Sequence, residues 1–190
     1  MPSPIAHISA GYLLFAVFRR FLSEKILRYT GKSLFLLGLC LSFSLLPDID
    51  SALGFVARDL GRYHNQWTHS LLTGLGVCLV FTLMMRLWRQ AGFATWLGIS
   101  YACYALHVIM DFFTYGRGVM LFWPLTDARY KFEPPLFRGL RWSEGLISVE
   151  HIWTALQEIA FALVLLGAYI ALRAIGTACQ PARNRLDEPD

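Results

Sequence analysis

The sequence predicts an all-α protein: a polytopic membrane bundle of about five spanning helices, with an aromatic and basic cap lying on the membrane surface. Of the 190 residues, 56% are hydrophobic and only 16% are charged, whereas an ordinary soluble domain carries about 25% charged residues. The apolar residues are concentrated in long runs, and a spanning helix needs roughly 20 of them in succession. Composition therefore argues against a soluble enzyme, and the runs predict the helices.

The predicted helices correspond to five apolar segments separated by polar stretches. The third, fourth and fifth have full spanning length, the first is near the lower limit, and the second is the weakest because it stops at Pro47. In chain order, the segments cover roughly residues 5–22, 33–46, 68–88, 93–113 and 152–175. We predict one bundle domain over residues 1–178, followed by a disordered polar tail over residues 179–190.

The lysines and arginines predict how the bundle is oriented. Those in the short connections follow the first, third and fifth segments, which a five-span alternation places on one side. Positive charge in short loops marks the cytoplasmic side, so we expect the N-terminus outside and the C-terminus in the cytoplasm. The formal net charge is only +4, and short basic clusters between apolar runs are topology signals rather than a nucleic-acid surface. No nucleic-acid partner is therefore expected.

The connection over residues 114–150 is predicted to lie on the membrane rather than to cross it. Aromatic residues and prolines, such as Trp123, Pro124 and Trp142, are interleaved there with charged residues. Aromatic and basic side chains together suit the headgroup level of a bilayer. We expect this segment to form a cap over the outer ends of the helices.

The cysteines are predicted to pack as small apolar residues. Cys40, Cys78 and Cys103 lie inside apolar runs, Cys179 follows the last run, and none of them forms a CxxC pair. Neither a disulfide framework nor a metal–thiolate site is therefore expected.

Aspartate and histidine residues gather at the segment ends that this topology brings to the outer face. His107 and Asp111 share one helix face through their i,i+4 spacing, and a carboxylate near the end of a spanning helix needs a partner or a cation. After Pro47, an extended path would point Asp48 and Asp50 the same way. Their charges would then repel unless a cation lies between them or one is protonated. Each motif alone also fits a structural hydrogen bond or a solvated turn.

The other histidines are predicted at the same face. Thr68 is a candidate cap for the third helix, which would place His69 at the helix start and His64 in the preceding loop. His7 lies near the outer end of the first segment, and Gly11 one turn later would let another helix approach closely beneath it. These positions bring imidazoles to the surface that carries the aspartates.

The last helix adds further polar residues. Glu150 and His151 open it, and Glu158 follows on nearly the same face as His151. A glutamate inside an apolar run should face the bundle rather than lipid. We expect Glu158 to make a hydrogen bond and to lie deeper in the membrane than the other polar residues.

Together these residues predict a divalent-metal site. Histidine and aspartate without cysteine suit Zn²⁺, which is preferred here, and also Mn²⁺ or Fe²⁺. One ion with outer carboxylates that orient the histidines would use these donors, and so would two ions about 3.5–4 Å apart. The candidate ligands are His7, Asp48, Asp50, His69, His107 and Asp111.

The motifs occur in a characteristic order: His7, the PDID run at 47–50, the THS run at 68–70, His107-xxx-Asp111 and the LFWP run at 121–124. Together they resemble the YdjM-type family of LexA-regulated bacterial inner-membrane proteins, which are described as metal-dependent hydrolases. The resemblance covers most of residues 5–125, and Glu150 matches a glutamate with which the family opens its final helix. It implies a bacterial inner-membrane protein, and the orientation predicted from the basic residues then places the site on the periplasmic side.

One departure and one weaker similarity accompany this resemblance. The family usually has His-Arg where this chain has His64-Asn65. If that arginine binds an anionic substrate, its role passes to Arg58, Arg62 or another cation, or the specificity has changed. A more distant similarity, through the early histidine and the PD element, is to zinc-dependent phospholipase C proteins. By analogy it implies phosphoester chemistry.

Our functional prediction is metal-assisted hydrolysis at the outer membrane–water boundary, with a phospholipid or lipid-linked phosphate as substrate. The candidate general acids and bases are His64, Glu150 and His151. The candidate cations for a substrate phosphate are Arg58, Arg62, Arg117 and Arg141. One alternative is a metal-ion or proton transporter, whose polar residues should be spread through the membrane's depth. Another is a non-enzymatic structural protein whose polar cluster only locks the helices.

Overall fold

The fold is helical, as predicted. The computed structural model describes residues 3–22, 33–57, 64–89, 92–139 and 149–178. Six α-helices lie within these ranges: α1 Pro4–Phe21, α2 Ser33–Leu45, α3 Ile49–Val56, α4 Leu71–Arg89, α5 Phe93–Phe112 and α6 Val149–Ala178. All except the short α3 are long, and in the described part of the chain β-structure is limited to isolated bridges. The all-α class is confirmed.

Within the part of the chain that the structure describes, three stretches are long and apolar enough to cross a membrane: Ser33–Ser51, Phe93–Phe112 and His151–Ala171. The apolar part of α4 is shorter and covers Leu71–Leu87. The expected ranking of the segments is therefore corrected, because the second segment reaches spanning length and the third falls just below it.

The second segment is longer than predicted because its helical path continues through Pro47. A 3₁₀ turn over Leu46–Asp48 joins α2 to α3. Proline is tolerated at the start of a helical turn, where its missing N–H has no partner to lose. The expectation of an extended path at Asp48 and Asp50 is therefore wrong, since both residues are helical.

The core of the bundle lies around α5, which packs against α1, α2 and α4, while α6 packs against α1. Fully buried side chains such as Leu36 and Trp96 form this core together with the free thiols of Cys40, Cys78 and Cys103. These three cysteines pack as apolar residues, as predicted. Cys179 lies outside the described residues, as does the predicted tail.

The alternating helices bring the start of α1, the ends of α2 and α5, and the starts of α4 and α6 to one end of the bundle. Basic residues lie at the opposite end, where Arg19 and Arg20 occupy the last turn of α1 and Arg86 lies near the end of α4. This separation matches the alternation that the sequence predicts. The assignment of the basic end to the cytoplasm stays a prediction.

Residues 113–139 cover the polar end of the bundle as an irregular cap. Its main contacts are backbone hydrogen bonds: Leu71 N–H donates to Leu121 O at 3.0 Å, and Phe132 N–H donates to Phe112 O at 2.9 Å. Leu125 and several aromatic residues of the cap are exposed. The described part of the predicted 114–150 cap is therefore not a spanning segment, and residues 140–148 lie outside the description.

Gly11 lets α1 approach α2 beneath His7, which confirms its predicted role. A Cβ at position 11 would lie 2.6 Å from Ser44 Oγ and 3.2 Å from the carbonyl oxygen of Cys40. No larger side chain fits there without moving the two helices apart. The close contact therefore sets how far α1 stands from α2.

Replacing Gly11 with alanine should lower the free energy of unfolding by about 1–3 kcal/mol, because the added methyl group overlaps backbone as well as a side chain. The matched control is Gly38→Ala in α2, where a Cβ would meet nothing within 4 Å. That variant should be neutral or slightly stabilising, because alanine favours helix over glycine. Thermal unfolding in detergent measures both variants, and equal destabilisation would contradict the close approach at Gly11.

Candidate metal centre

Four buried or nearly buried side chains converge at the polar end of the bundle: Asp48, His69, His107 and Asp111. His69 Nε2 lies 2.9 Å from Asp111 Oδ2 and 3.3 Å from His107 Nε2. His107 Nε2 lies 3.4 Å from the same Asp111 oxygen. Asp48 Oδ1 lies 3.6 Å from His69 Nε2 and 3.5 Å from His107 Nε2. One donor atom of each residue therefore faces a common point.

Local structure brings each donor to this point. His107 and Asp111 are one turn apart on α5, as their spacing predicts. Asp48 ends the 3₁₀ turn after α2, and a second 3₁₀ turn over Trp67–His69 carries His69 immediately before α4. The centre is thus assembled from two turns and one helix face.

The cap of α4 is Ser70 rather than Thr68, which corrects the sequence prediction. Ser70 Oγ accepts a hydrogen bond from Leu72 N–H at 3.1 Å. Thr68 lies within the 3₁₀ turn, where its hydroxyl donates to Asp50 Oδ2 at 2.6 Å. Its carbonyl oxygen accepts a hydrogen bond from the hydroxyl of Tyr104. Thr68 therefore fastens the turn that carries His69 instead of capping the helix.

Hydrogen bonds assign the tautomers of the two central histidines. His107 Nδ1 lies 2.7 Å from the carbonyl oxygen of Ser44, and a carbonyl only accepts, so Nδ1 carries the proton. His69 Nδ1 lies 3.2 Å from Asp50 Oδ2, and the same reasoning applies. In their neutral forms both rings turn the lone pair of Nε2 toward the cluster. Proteins hold metal-ligating histidines in this way.

The carboxylates are the part of the cluster that most needs a cation. Both oxygens of Asp48 and of Asp111 are buried, and among the described residues none has a well-aligned hydrogen bond. Their described ion-pair partners are histidines. An isolated buried carboxylate is costly unless a proton or a metal ion compensates its charge.

The spacing of the donors fits a tetrahedral ion. Zn²⁺ binds nitrogen and carboxylate oxygen at about 2.0–2.2 Å, so its ligand atoms stand roughly 3.3–3.6 Å apart in a tetrahedron. The five separations among these donor atoms that involve a histidine range from 2.9 to 3.6 Å. The residues present therefore suit a small divalent cation.

Asp50, His64 and His69 form a second group with metal-ligand spacing. Asp50 Oδ1 lies 2.8 Å from His64 Nδ1, while its Oδ2 accepts from Thr68 and faces His69 Nδ1. Both oxygens of Asp50 thus have hydrogen-bond partners, unlike those of the other two aspartates. This is the geometry of a carboxylate that orients histidines.

His7 lies against the cluster from α1. Its ring stacks on that of His107, with centroids 3.6 Å apart, and its Nε2 lies 3.7 Å from Asp111 Oδ1. Neither ring nitrogen has a hydrogen-bond partner among the described residues, although the side chain is buried. His7 therefore borders the cluster but belongs to neither group with metal-ligand spacing, and its role as a ligand stays a prediction.

Glu158 ties α6 to the start of α1. Its carboxylate accepts from Ser3 N–H at 2.5 Å and from the Ser3 hydroxyl, which confirms the expected hydrogen bonding. The expected depth is corrected: Ser3 precedes His7 by one helical turn, so Glu158 lies at the same end of the bundle as the cluster. The reason is that α6 begins at this end of the bundle with Val149, and Glu158 is still close enough to that start to meet Ser3.

The candidate acids and bases differ in how they meet the cluster. His64 packs edge-on against His69, with ring centroids 4.7 Å apart. Burial lowers the pKa of His64 below its ordinary value, and Asp50 offsets this only in part. Glu150 and His151 lie in the first turn of α6, outside both ligand groups, and the Glu150 side chain lies outside the description. Their catalytic roles stay predictions.

Among the candidate substrate cations, Arg117 lies in the described cap. Its Nη2 donates to the carbonyl oxygen of His64 at 2.7 Å. Sequence reasoning missed Arg129, whose Nη1 donates to the carbonyl oxygen of Asn65 at 2.8 Å. Nothing in its local sequence distinguished it from other basic residues of the cap. The remaining candidates, Arg58, Arg62 and Arg141, lie outside the described residues.

Metal binding should weaken as the pH falls, because His69 holds a proton strongly. Burial disfavours its charged form, but the neighbouring aspartates, led by Asp111, outweigh burial and raise the pKa of His69 well above 6.5. A metal ion must displace the Nε2 proton, so affinity should drop by up to about tenfold per pH unit below that pKa. Metal titrations at several pH values measure this, and a flat profile would contradict it.

The same raised pKa has the opposite effect on the metal-free protein. A histidine whose pKa is higher in the folded than in the unfolded state stabilises the fold. This stabilisation is fully present below about pH 6.5 and is lost as the pH rises through the folded-state pKa. With chelator present, thermal unfolding should therefore occur at lower temperature in alkaline buffer. Added metal should reverse the loss.

One of three comparisons with known proteins finds a match. The family described as "YdjM inner membrane protein" matches residues 1–179. No curated protein and no solved structure matches the chain. The family match includes every donor of the His/Asp cluster and all described helices, so the chain belongs to the YdjM inner membrane protein family.

Proposed function

We propose that this inner membrane protein is a metal-dependent hydrolase that cleaves a phosphoester of a lipid or lipid-linked substrate on the periplasmic side. One observation carries the proposal. Two imidazole lone pairs and two carboxylates without well-aligned hydrogen bonds face one point at the polar end of the bundle. A cation there would compensate charges that the protein otherwise leaves buried.

Asp48, His69, His107 and Asp111 would hold one ion, with Zn²⁺ preferred because of their spacing. Such an ion supplies Lewis-acid chemistry, polarising a phosphoryl oxygen and lowering the pKa of water from 15.7 to about 7. The side chain of Asp48 is 13% exposed, whereas those of the other three are fully buried. Substrate would therefore approach from the Asp48 side. A second ion would recruit Asp50, His64 or His7.

His64 is the best placed general base. Its lowered pKa keeps the ring neutral near pH 7, and its Nδ1 faces Asp50 at 2.8 Å. With Nδ1–H donated to Asp50, Nε2 would keep its lone pair, and it has no hydrogen-bond partner among the described residues. It would therefore be the atom that accepts a proton from an attacking water. The carboxylate would also stabilise the imidazolium that results. Glu150 and His151 remain candidates for the acid that protonates the leaving group.

The cap supports a lipid substrate. Phe122, Leu125 and Leu136 are exposed on it, and so is the basic residue Arg117. A surface with both kinds of residue suits the headgroup level of a membrane. Acyl chains would remain in the bilayer while the phosphate meets the centre. Arg117 would neutralise charge on that phosphate.

The position of the polar groups favours a hydrolase over the two alternatives. A transporter needs ion ligands through the depth of the membrane, whereas the described cluster and Glu158 share one end of the bundle. A structural lock should have its polar groups hydrogen-bonded to one another. Asp48 and Asp111 do not meet that condition among the described residues.

The function is tested by measuring phosphate release from a panel of lipid phosphates with purified protein in detergent, with and without chelator. We expect chelator-sensitive release and near-stoichiometric metal in the wild type. Asp48→Asn should reduce both, whereas Asp127→Asn, an exposed aspartate in the cap, should change neither. Activity that is indifferent to chelator would defeat the hydrolase mechanism. A reporter fused after Asp190 should indicate the cytoplasm, and an external signal would invert the topology.

A further inference from the structure

Two arginines of the cap meet one short loop beside the metal centre. Arg117 Nη2 donates to the carbonyl oxygen of His64 at 2.7 Å, and Arg129 Nη1 donates to the next carbonyl oxygen, that of Asn65, at 2.8 Å. Arg129 also donates to the carbonyl oxygen of Gly118 at 3.2 Å. The two guanidinium groups therefore bind consecutive carbonyl groups of the loop that carries His64.

The backbone is shaped to hold the arginines together. Val119 and Tyr130 exchange two backbone hydrogen bonds of 2.9 Å, which brings the segments carrying Arg117 and Arg129 side by side. Gly118, with φ +79°, allows this approach, because a Cβ there would lie 2.6 Å from Tyr130 O. Asn65 adopts φ +59°, a left-handed conformation that asparagine tolerates better than most residues.

The charge of Arg129 is left uncompensated by its described partners. Both of its hydrogen bonds end on carbonyl oxygens and start from the same nitrogen, Nη1, whereas a guanidinium carries further donors in a planar fork. Burial and the nearby charge of Arg117 both lower the pKa of Arg129. An anion between the two side chains would relieve this repulsion, and phosphate matches the fork geometry of arginine.

The loop places this positive charge next to the metal donors. The ring of His64 lies on the cluster side, with Nδ1 3.9 Å from Asp48 Oδ1, and the carbonyl oxygen of the same residue receives Arg117. Asp48 is the most exposed of the four donors. The same loop residue thus contacts Arg117 through its carbonyl group and faces Asp48 with its ring, which places the arginines near the most exposed donor of the centre.

We propose that Arg117 and Arg129 form a phosphate subsite at the entrance to the metal centre, with Arg129 as a specificity-determining residue. The subsite deepens the proposed function, on which it rests for the identity of the phosphate as part of the substrate. It selects substrates that present a dianionic or terminal phosphate over neutral esters. The chemistry is shared by free phosphate and by a lipid phosphomonoester headgroup, and the test separates these two sources.

The test measures binding of inorganic phosphate to metal-loaded protein in nanodiscs by calorimetry. Arg129→Gln should weaken binding about 10- to 100-fold, the range expected for a lost charge-assisted hydrogen bond. Arg129→Lys keeps the charge but loses the fork, and should weaken binding less. The matched control is Lys131→Gln, an exposed cation two residues away that pairs with Glu133, and it should bind as the wild type does.

Metal content is measured in the same samples, because a variant that only disturbs the loop would lose metal together with phosphate. If Arg129→Gln loses metal, the phosphate affinity of Arg129→Lys is compared with that of the wild type instead. A metal-loaded variant of either kind with wild-type phosphate affinity overturns the subsite, and so does a phosphate affinity that falls only in proportion to the metal lost. Weaker phosphate binding with metal retained supports the subsite.

A second arm compares nanodiscs of phosphatidylcholine alone with nanodiscs that also contain phosphatidic acid. Displacement of phosphate by phosphatidic acid supports a lipid headgroup as the source, and lack of displacement supports a free phosphate group. The two proposals fail separately. Phosphate binding that needs Arg129 without any hydrolysis removes the proposed function alone. Hydrolysis with unchanged phosphate affinity in the Arg129 variants removes the subsite alone.

Discussion

Replacing His107 with alanine should lower metal affinity by more than about 100-fold and abolish chelator-sensitive hydrolysis. Loss of an outer group that only orients a ligand typically lowers metal affinity about 10- to 100-fold. Loss of a residue that binds the metal directly should lower it more. His107 Nε2 lies within 3.5 Å of donor atoms from His69, Asp48 and Asp111. Its removal leaves three donors and one vacant coordination position.

The measurement is elemental analysis and metal titration of purified variants. Asp50→Asn is the intermediate case. Asp50 orients His69 and His64, so this substitution should lower metal affinity only about 10- to 100-fold. Asp127→Asn in the cap should bind metal as the wild type does. A His107→Ala protein that folds and retains one tightly bound ion would remove His107 from the ligand set, and the one-ion centre with it.

Replacing His64 with alanine should lower kcat by about 10²- to 10⁴-fold, the usual contribution of a general base, while the protein keeps its metal. The reason is that His64 is not a member of the four-donor group, and the nearest carboxylate oxygen to its Nδ1 is that of Asp50, at 2.8 Å. Its lowered pKa places the acidic limb of the wild-type rate profile below pH 6.5. That limb should disappear in the variant.

Metal content decides between the one-ion and two-ion arrangements in the same experiment. If His64 and Asp50 hold a second ion with His69, as their spacing allows, the His64→Ala protein should contain less metal than the wild type. Unchanged metal with a large loss of kcat supports the general base. Unchanged kcat would exclude His64 from catalysis.

Local patterns were sufficient for the helices and for several site residues. Runs of apolar residues predict spanning helices because hydropathy is a property of consecutive residues, and the spacing of His107 and Asp111 predicts a shared helix face. Close helix contact at Gly11 could also be predicted, because a residue without a side chain lets another helix approach. The prediction failed at Pro47, where the helical path resumes after a 3₁₀ turn instead of becoming extended.

Contacts between distant residues could not be read from such patterns. Thr68 does not cap α4, and its hydroxyl instead binds Asp50, a partner 18 residues away. Arg129 reaches Asn65 across 64 residues, and Glu158 meets Ser3 across 155. Each contact depends on how helices are rotated and where loops cross, and no short sequence window contains that information.

The sequence by itself determined that this is a helical membrane protein with histidines and aspartates concentrated at one end of its helices, because hydropathy and helical periodicity are local. Only the tertiary structure decided which atoms meet. It turned the Nε2 atoms of His69 and His107 toward Asp48 and Asp111, and it left the Asp50 carboxylate behind them as a hydrogen-bond acceptor. The physical reason is that the cost of burying these charges depends on distances of a few ångströms between separate chain segments, which the packing of α1, α2 and α5 sets.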